Sequence, residues 1–150
     1  MRRDVLVYTT TPLSKAVNVT GPVSIKLFVS SNVKDTDFTA KLVDVFPDGR
    51  AFNLDDSIQR ARYRQGYDRE VFMKRDEAYE IDIGPLGTSN VFAQGHRIRV
   101  EISSSNFPHY SRNLNTGGRN WDELRGVSAR NLIRHSRQFP SQIVLPIVPN

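Results

Sequence analysis

The sequence predicts an all-β antiparallel fold, either a sandwich or a barrel. About eight stretches with strand-like alternation are separated by turn residues, and no amphipathic helix of ten residues or more interrupts them. The chain has 150 residues, of which 38% are hydrophobic and 25% charged, and this suits one folded domain with one core. Since no repeat or domain boundary divides the chain, residues 1–150 are expected to form a single domain.

The first half of the chain predicts a strand followed by a hairpin. Residues 23–29 alternate between apolar and polar side chains, as in a half-buried strand, with Phe28 as the single exception. Residues 38–46 are also apolar and β-branched, and the turn after them contains Pro47 and Gly49. Proline presets the first dihedral angle of a turn and glycine accepts a positive φ. We therefore expect the chain to reverse direction there.

The second half predicts several short strands. Residues 79–83 and 91–93 are expected to be separate strands, because Gly84 and Gly87 lie between them. The other predicted strands are residues 97–102, where the alternation is clearest, residues 129–135 and residues 143–145.

A long loop is expected at residues 103–126, which are rich in serine, asparagine, proline and glycine, with a weak helical turn at residues 121–124. A loop of this length is uncommon inside a compact domain and usually serves a function or an interface. Its aromatic side chains Tyr110 and Trp121 could stack on a sugar ring, or they could anchor the loop against a neighbouring domain. We favour the second interpretation.

The composition argues against several function classes. The formal net charge is +5, but the arginines are interleaved with acidic residues, as on a mixed solvated surface, so no nucleic-acid partner is expected. Residues 1–8 turn polar too early for a signal peptide, and no membrane partner is expected; a cytoplasmic location is favoured and export stays open. Because the chain has no cysteine and only three histidines, we expect no disulfide, metal site or cofactor.

The chain also lacks the Gly-x-Ser-x-Gly pentapeptide that positions the nucleophile of α/β-hydrolases. The nearest approaches, at residues 87–91 and 126–130, both lack the final glycine. A serine, a histidine and an acid acting together elsewhere cannot be chosen from the sequence. No catalytic residue is therefore assigned.

Charged residues supply the other candidates. Arg60, Arg62 and Arg64 alternate along a predicted strand, and they would repel one another unless acids or carbonyls face them. They could recognise an anionic group or a partner surface, but we favour an ion-pair network with the domain's own acids, including Asp35 and Asp37. A single pair of carboxylates is too few for a calcium site. The interface or structural ion-pair candidates are Asp35, Asp37, Arg60, Arg62, Arg64, His96, Asn106, Tyr110 and Trp121.

Ordered motifs along nearly the whole chain resemble a known family. They are DVLVY at residues 4–8, VTGPV at 19–23, DTDFTAKLVDV at 35–45, PDGR at 47–50, RARYR at 60–64, TSNVF at 88–92, GHRI at 95–98, SSNFP at 104–108, NTGG at 115–118, PS at 140–141 and VLP at 144–146. Together they resemble the C-terminal domain of the bacterial family of cocaine esterases, acyl esterases and Xaa-Pro dipeptidyl-peptidases, the CocE/NonD-type hydrolases.

The resemblance implies a jelly-roll β-sandwich of the galactose-binding-like type, whose Ser-Asp-His triad lies in a preceding α/β-hydrolase domain. That domain is then the expected partner: the sandwich packs on it, supports the substrate cleft and helps oligomerisation. Relatives carry further domain sequence upstream of Asp4, so an uncovered edge is expected to pair with another copy and form a homo-oligomer. The alternative is a carbohydrate-binding module that uses loop aromatics.

Three places depart from the family pattern. Ser57 and residues 74–76 stand where relatives more often have a turn-forming glycine. Residues 119–129 follow no family pattern, which makes them the expected place for specificity.

Overall fold

The computed structural model describes residues 3–149 and shows two antiparallel β-sheets around a shared core. Within that range the strands are β1 (Leu6–Thr9), β2 (Val17–Ser31), β3 (Asp37–Val45), β4 (Ala51–Arg60), β5 (Tyr79–Phe92), β6 (Arg97–Ser103), β7 (Asn131–Arg134), β8 (Gln142–Val144) and β9 (Ile147–Val148). A short 3-10 helix, Ala61–Tyr63, follows β4. The predicted antiparallel jelly-roll sandwich is confirmed.

The longest strand, β2, forms the centre of one sheet. β5 pairs with one edge of β2 along most of its length, while β7, β8 and β9 pair with the other edge. The second sheet has the strand order β1-β6-β3-β4. Because the chain passes repeatedly from one sheet to the other, segments that are distant in sequence come together at the ends of the sandwich.

The core lies between the two sheets and is built by alternate residues of their strands. On β2 the buried apolar side chains are Val19, Val23, Ile25, Leu27 and Val29, and on β6 they are Ile98, Val100 and Ile102. This is the alternation that the sequence predicts. Phe28 points to the other face of β2, where its ring centre lies 5.8 Å from that of Phe139. Burial of each such side chain contributes about 1.5–3 kcal/mol, so the core supplies the main driving force for folding.

β3 and β4 form the predicted hairpin. The amide of Phe46 donates to the carbonyl oxygen of Arg50 over 2.8 Å, and Gly49 adopts a φ of +90°. The register of the two strands places Asp37 opposite Arg60. The turn therefore positions an acid and a base beside each other at the far end of the hairpin.

The prediction of two short strands in residues 79–93 is wrong. Residues 79–92 form one strand, and its register against β2 shifts between Val23 and Ile25, where β5 bulges. Gly84 lies in the bulge with a φ of +122°. A glycine in a bulge bends a strand without ending its pairing, which is why it resembles a break in the sequence.

Two further local predictions need correction. Arg60, Arg62 and Arg64 do not lie along one strand, because β4 ends at Arg60 and the 3-10 helix begins at residue 61. The expected helical turn at residues 121–124 is a simple turn, in which the amide of Asp122 donates to the carbonyl of Arg119 over 3.0 Å. In both places the chain turns within two or three residues, and alternation over so short a stretch does not distinguish a strand from a turn.

The turn at residues 74–76 forms without a glycine. Asp76 adopts a φ of +61°, and its amide donates to the carbonyl of Ser31 over 2.7 Å. Aspartate enters the left-handed region more readily than most residues, so it can replace glycine here.

Gly84→Ala is expected to destabilise the domain more than Gly49→Ala. Both glycines have a positive φ, but a Cβ at Gly84 would lie 3.0 Å from the amide nitrogen of Leu86 and 3.1 Å from the carbonyl oxygen of Val23, whereas a Cβ at Gly49 would meet nothing within 4 Å. We expect a loss of about 1 kcal/mol in unfolding free energy for Gly49→Ala and roughly 2–4 kcal/mol for Gly84→Ala. Urea unfolding measures both, and equal losses would contradict the close approach.

Candidate functional site

The candidate site lies at the end of the sandwich where three segments meet. These are the segment that leads into the first residue of β3, the end of β4 with its 3-10 helix, and the loop of residues 104–130 between β6 and β7. Their contact is made by Asp35, Asp37, Arg60, Arg62 and Asn113, which we call the ion-pair cluster. Four of these residues are candidates from the sequence, and the fifth, Asn113, is not.

Arg62 and Asp35 form the innermost pair of the cluster. Asp35 is fully buried and Arg62 is only 4% exposed. The Nε and Nη2 atoms of Arg62 lie 2.9 and 2.8 Å from Oδ2 of Asp35, while its backbone amide donates to Oδ1 over 2.9 Å. Burial lowers the pKa of Arg62, but its hydrogen bonds and the charges of Asp35 and Glu70 outweigh that effect and hold the pKa above its ordinary value. Arg62 therefore keeps its positive charge although it is buried.

Arg60 and Asp37 form a second, two-pronged pair beside the first. Nε and Nη2 of Arg60 donate to the two carboxylate oxygens of Asp37 over 2.9 and 3.2 Å. The hydrogen bond to Asp37 raises the pKa of Arg60. The side-chain amide of Asn113 then donates to Asp35 and to Asp37, over 2.8 Å in each case. One amide thus lies between two carboxylates that would otherwise repel each other.

Arg64 does not join the cluster. Its Nη1 donates to the carbonyl oxygens of Ala61, over 2.9 Å, and of Val71, and its guanidinium group lies over the ring of Tyr79 at 4.3 Å. Burial lowers its pKa. The three arginines that alternate in the sequence therefore serve three different sets of partners.

The ion-pair cluster also fastens the base of the long loop. Nη2 of Arg62 donates to the carbonyl of Gly118 over 2.9 Å. Two bonds close the loop on itself: the amide of Val127 donates to the carbonyl of Leu114, and the side chain of Asn115 donates to the carbonyl of Val127, each over 2.8 Å. The base of the loop is thus held from both sides.

Residues 119–126, which we call the loop tip, follow this fastened base. Asn120 and Glu123 bind the tip to the base, since Oδ1 of Asn120 accepts from the amide of Leu114 over 3.1 Å and Oε2 of Glu123 accepts from the hydroxyl of Thr116. Trp121 is 79% exposed and Leu124 is fully exposed. Large apolar side chains held out into water by a fixed base are typical of a contact surface. Trp121 is not one of the residues of the ion-pair cluster, although the loop that carries it also supplies Asn113 to the cluster.

The remaining predicted residues lie elsewhere. Nδ1 of His96 lies 2.8 Å from Oδ1 of Asp44, near the β3–β4 turn. Asn106 donates to Oδ2 of Asp56 over 3.2 Å, and the hydroxyl of Tyr110 donates to the backbone carbonyl of Asp56 over 3.1 Å, so both fasten the start of the loop onto β4. Burial raises the pKa of the Tyr110 hydroxyl.

A cleft of about 510 Å³ opens beside the cluster, between the ends of β1 and β6 on one side and β7 on the other. Leu6 and Ile133 supply apolar wall, and Arg112 and Arg130 line it with guanidinium groups. Asn113 contributes to both the cleft and the ion-pair cluster. Asn113 therefore connects the cleft with the ion-pair cluster.

Residues 3–149 contain no group of three or more histidine, aspartate and glutamate side chains placed to hold a metal ion. No helix in the same range is long and apolar enough to cross a membrane.

Asp35→Asn is expected to lower the free energy of unfolding by about 3–5 kcal/mol, because it removes the only buried acid that pairs with the guanidinium group of Arg62 among residues 3–149 and leaves the more exposed Glu70 as its acidic partner. Asp48→Asn is the matched control, since Asp48 pairs with Arg50 on the surface, and it should change stability little. Urea unfolding followed by circular dichroism measures both variants. Similar small losses would show that the buried pair does not hold this end of the sandwich.

Residues 1–144 match the protein family described as the X-Pro dipeptidyl-peptidase C-terminal non-catalytic domain. The chain is also 54% identical over 151 residues to the cocaine esterase of Rhodococcus sp. (strain MB1 Bresler), in a match that covers 98% of this chain and 26% of that protein. The chain thus spans about a quarter of the length of the curated relatives that it matches.

Solved structures agree with this match. An aminopeptidase from a marine sediment archaeon, Thaumarchaeota archaeon, is similar with a TM-score of 0.92 and 32% identity, over 99% of this chain and 26% of that one. An α-amino acid ester hydrolase is similar with a TM-score of 0.84 and 28% identity, over 98% of this chain and 26% of that one. The resemblance carried by the ordered sequence motifs is confirmed, and the chain belongs to the family of X-Pro dipeptidyl-peptidase C-terminal non-catalytic domains.

Proposed function

We propose that this chain is the C-terminal sandwich domain of a larger serine hydrolase that acts on esters or on Xaa-Pro peptides. The observation that carries the proposal is the match of residues 1–144 to a non-catalytic domain family, combined with 54% identity to one quarter of a cocaine esterase. The triad of the parent enzyme then lies in an α/β-hydrolase domain, and this domain takes no part in bond cleavage.

Its role is mechanical: it packs on the hydrolase domain, braces one wall of the substrate cleft and supports oligomerisation. The loop tip is the contact surface that fits this role best. Trp121 and Leu124 project into water from a base that Arg62 and Asn113 hold in place. A fixed base lowers the entropy lost on docking, and tryptophan is a common energetic anchor in interfaces.

Arg60 and Arg62 fit an interface less well. Arg62 is buried and bound to Asp35, and Arg60 is bound to Asp37. A guanidinium group engaged in this way has little charge to offer a partner. Its contribution to docking is indirect, because it positions the loop that carries Trp121.

A carbohydrate-binding role through loop aromatics is less well supported. The hydroxyl of Tyr110 donates to the backbone of Asp56, so this side chain serves to fasten the loop. Trp121 is the exposed member of the pair. A single exposed aromatic ring does not form the surface of two rings that stacking on a sugar through Tyr110 and Trp121 would require.

The isolated chain is expected to hydrolyse activated esters no faster than buffer, because the proposal places the triad in the hydrolase domain. A p-nitrophenyl acetate assay at high protein concentration measures this, with heat-unfolded chain as the control for surface nucleophiles. Saturable turnover that disappears on unfolding would contradict the proposal.

A chimaera tests the docking surface directly. This chain replaces the matching quarter of the Rhodococcus cocaine esterase, and the melting temperature and kcat/KM of the chimaera are measured with and without the double change Trp121→Ala and Leu124→Ala. We expect the double change to lower the melting temperature and activity of the chimaera while leaving the isolated chain as stable as before, since both side chains are exposed there.

Val91→Ala provides the control for this experiment, because Val91 is 56% exposed on β5 and outside the loop. Loss of activity with Val91→Ala alone, or an unaffected chimaera with the loop-tip changes, would place the interface elsewhere. If only glycan binding by the isolated chain falls with Trp121→Ala, the carbohydrate-binding role is correct instead.

A further inference from the structure

The cleft beside the ion-pair cluster carries an unbalanced positive charge. Three arginines line it, Arg3, Arg112 and Arg130, together with one acid, Asp4, which has a contact of its own. Arg112 and Arg130 are exposed, and within residues 3–149 neither forms an ion pair. Their charge is available to a ligand, unlike that of the arginines in the cluster.

A chain of hydrogen bonds leads from the protein interior into the same cleft. The hydroxyl of Ser31 donates to Oδ1 of Asn131 over 2.6 Å, and Nδ2 of Asn131 donates to the hydroxyl oxygen of Ser104 over 2.7 Å. Ser31 is buried, and Ser104 and Asn131 both line the cleft. Because Ser104 accepts from Asn131, its own proton is left to donate, and bonds arranged head to tail strengthen one another.

The walls of the cleft limit the kind of anion that fits. Leu6, 46% exposed, and the half-buried Ile133 offer apolar surface close to the arginines. A small hydrated anion would leave this surface in contact with water. A carboxylate on an apolar stem would satisfy both parts, because the guanidinium fork matches the two carboxylate oxygens and the stem covers the aliphatic side chains.

We propose that this cleft is a carboxylate-binding site, which takes a carboxylate carried on a short apolar stem. Arg112 and Arg130 bind the charge, Ser104 donates a hydrogen bond to it, and Leu6 and Ile133 contact the stem. The same chemistry occurs in a free aliphatic acid and in a glutamate side chain of a peptide segment. All five of these residues lie in this chain, and the proposal does not depend on the proposed role beside a hydrolase domain.

The test uses the 150-residue chain labelled with ¹⁵N and titrated with butyrate, butyramide, inorganic phosphate and two peptides, acetyl-Leu-Glu-Leu-amide and its glutamine counterpart. We expect butyrate or the glutamate peptide to shift the amide signals of Ser104, Ser105 and Asn131. The neutral probes should shift them far less, and phosphate should bind more weakly than butyrate or the glutamate peptide. The double variant Arg112→Gln, Arg130→Gln should bind at least about tenfold more weakly.

Arg125→Gln is the matched control, since Arg125 is an exposed arginine of the same loop that does not line the cleft. It should bind like the unaltered chain, and thermal unfolding checks that all variants fold. Shifts with both butyrate and the glutamate peptide support the site for either source, and shifts with the peptide alone support a protein carboxylate. No shifts with either probe, equal shifts with butyramide, tighter binding of phosphate, or unchanged affinity in the double variant would overturn the proposal.

Discussion

The pairing of two buried carboxylates with two guanidinium groups is the constraint on which one end of this sandwich depends. Asp35 and Asp37 are 0% and 1% exposed, and a charge removed from water to that extent must find opposite charge and hydrogen bonds. Arg62 and Arg60 supply the charge, and Asn113 supplies the remaining donor. Since these groups come from three segments, the chain before β3, the end of β4 and the long loop have to meet in one arrangement.

The two sheets make that arrangement possible. β3 and β4 form a hairpin, so a tight turn at Gly49 aligns Asp37 with Arg60 at the opposite end. The 3-10 helix after β4 then turns the backbone so that both the amide and the side chain of Arg62 reach Asp35. The apolar core stabilises the sheets, while the charged end determines where the loop lies.

The strands could be predicted from the sequence because alternation is a local property. Residues 97–102 alternate in the sequence, and they form β6 in the structure. The bulge at Gly84 could not, since only the register against β2 distinguishes a bulge from a break. The partnership of Arg62 with Asp35 was within reach, because unpaired arginines need acids. The hydrogen bond from Asn113 to Asp35 could not be predicted, because the two residues lie 78 positions apart and no sequence pattern around Asn113 indicates this partner.

The separation of the loop into a bound base and a tip with exposed apolar side chains has an evolutionary consequence. Gly118 and Asn113 are tied to the interior, so substitutions there disturb the fold. Trp121 and Leu124 have most of their surface in water, so selection on folding leaves them almost unconstrained. Any constraint on those positions then comes from the surface that the loop tip contacts, so they can change together with that surface while the scaffold beneath stays the same.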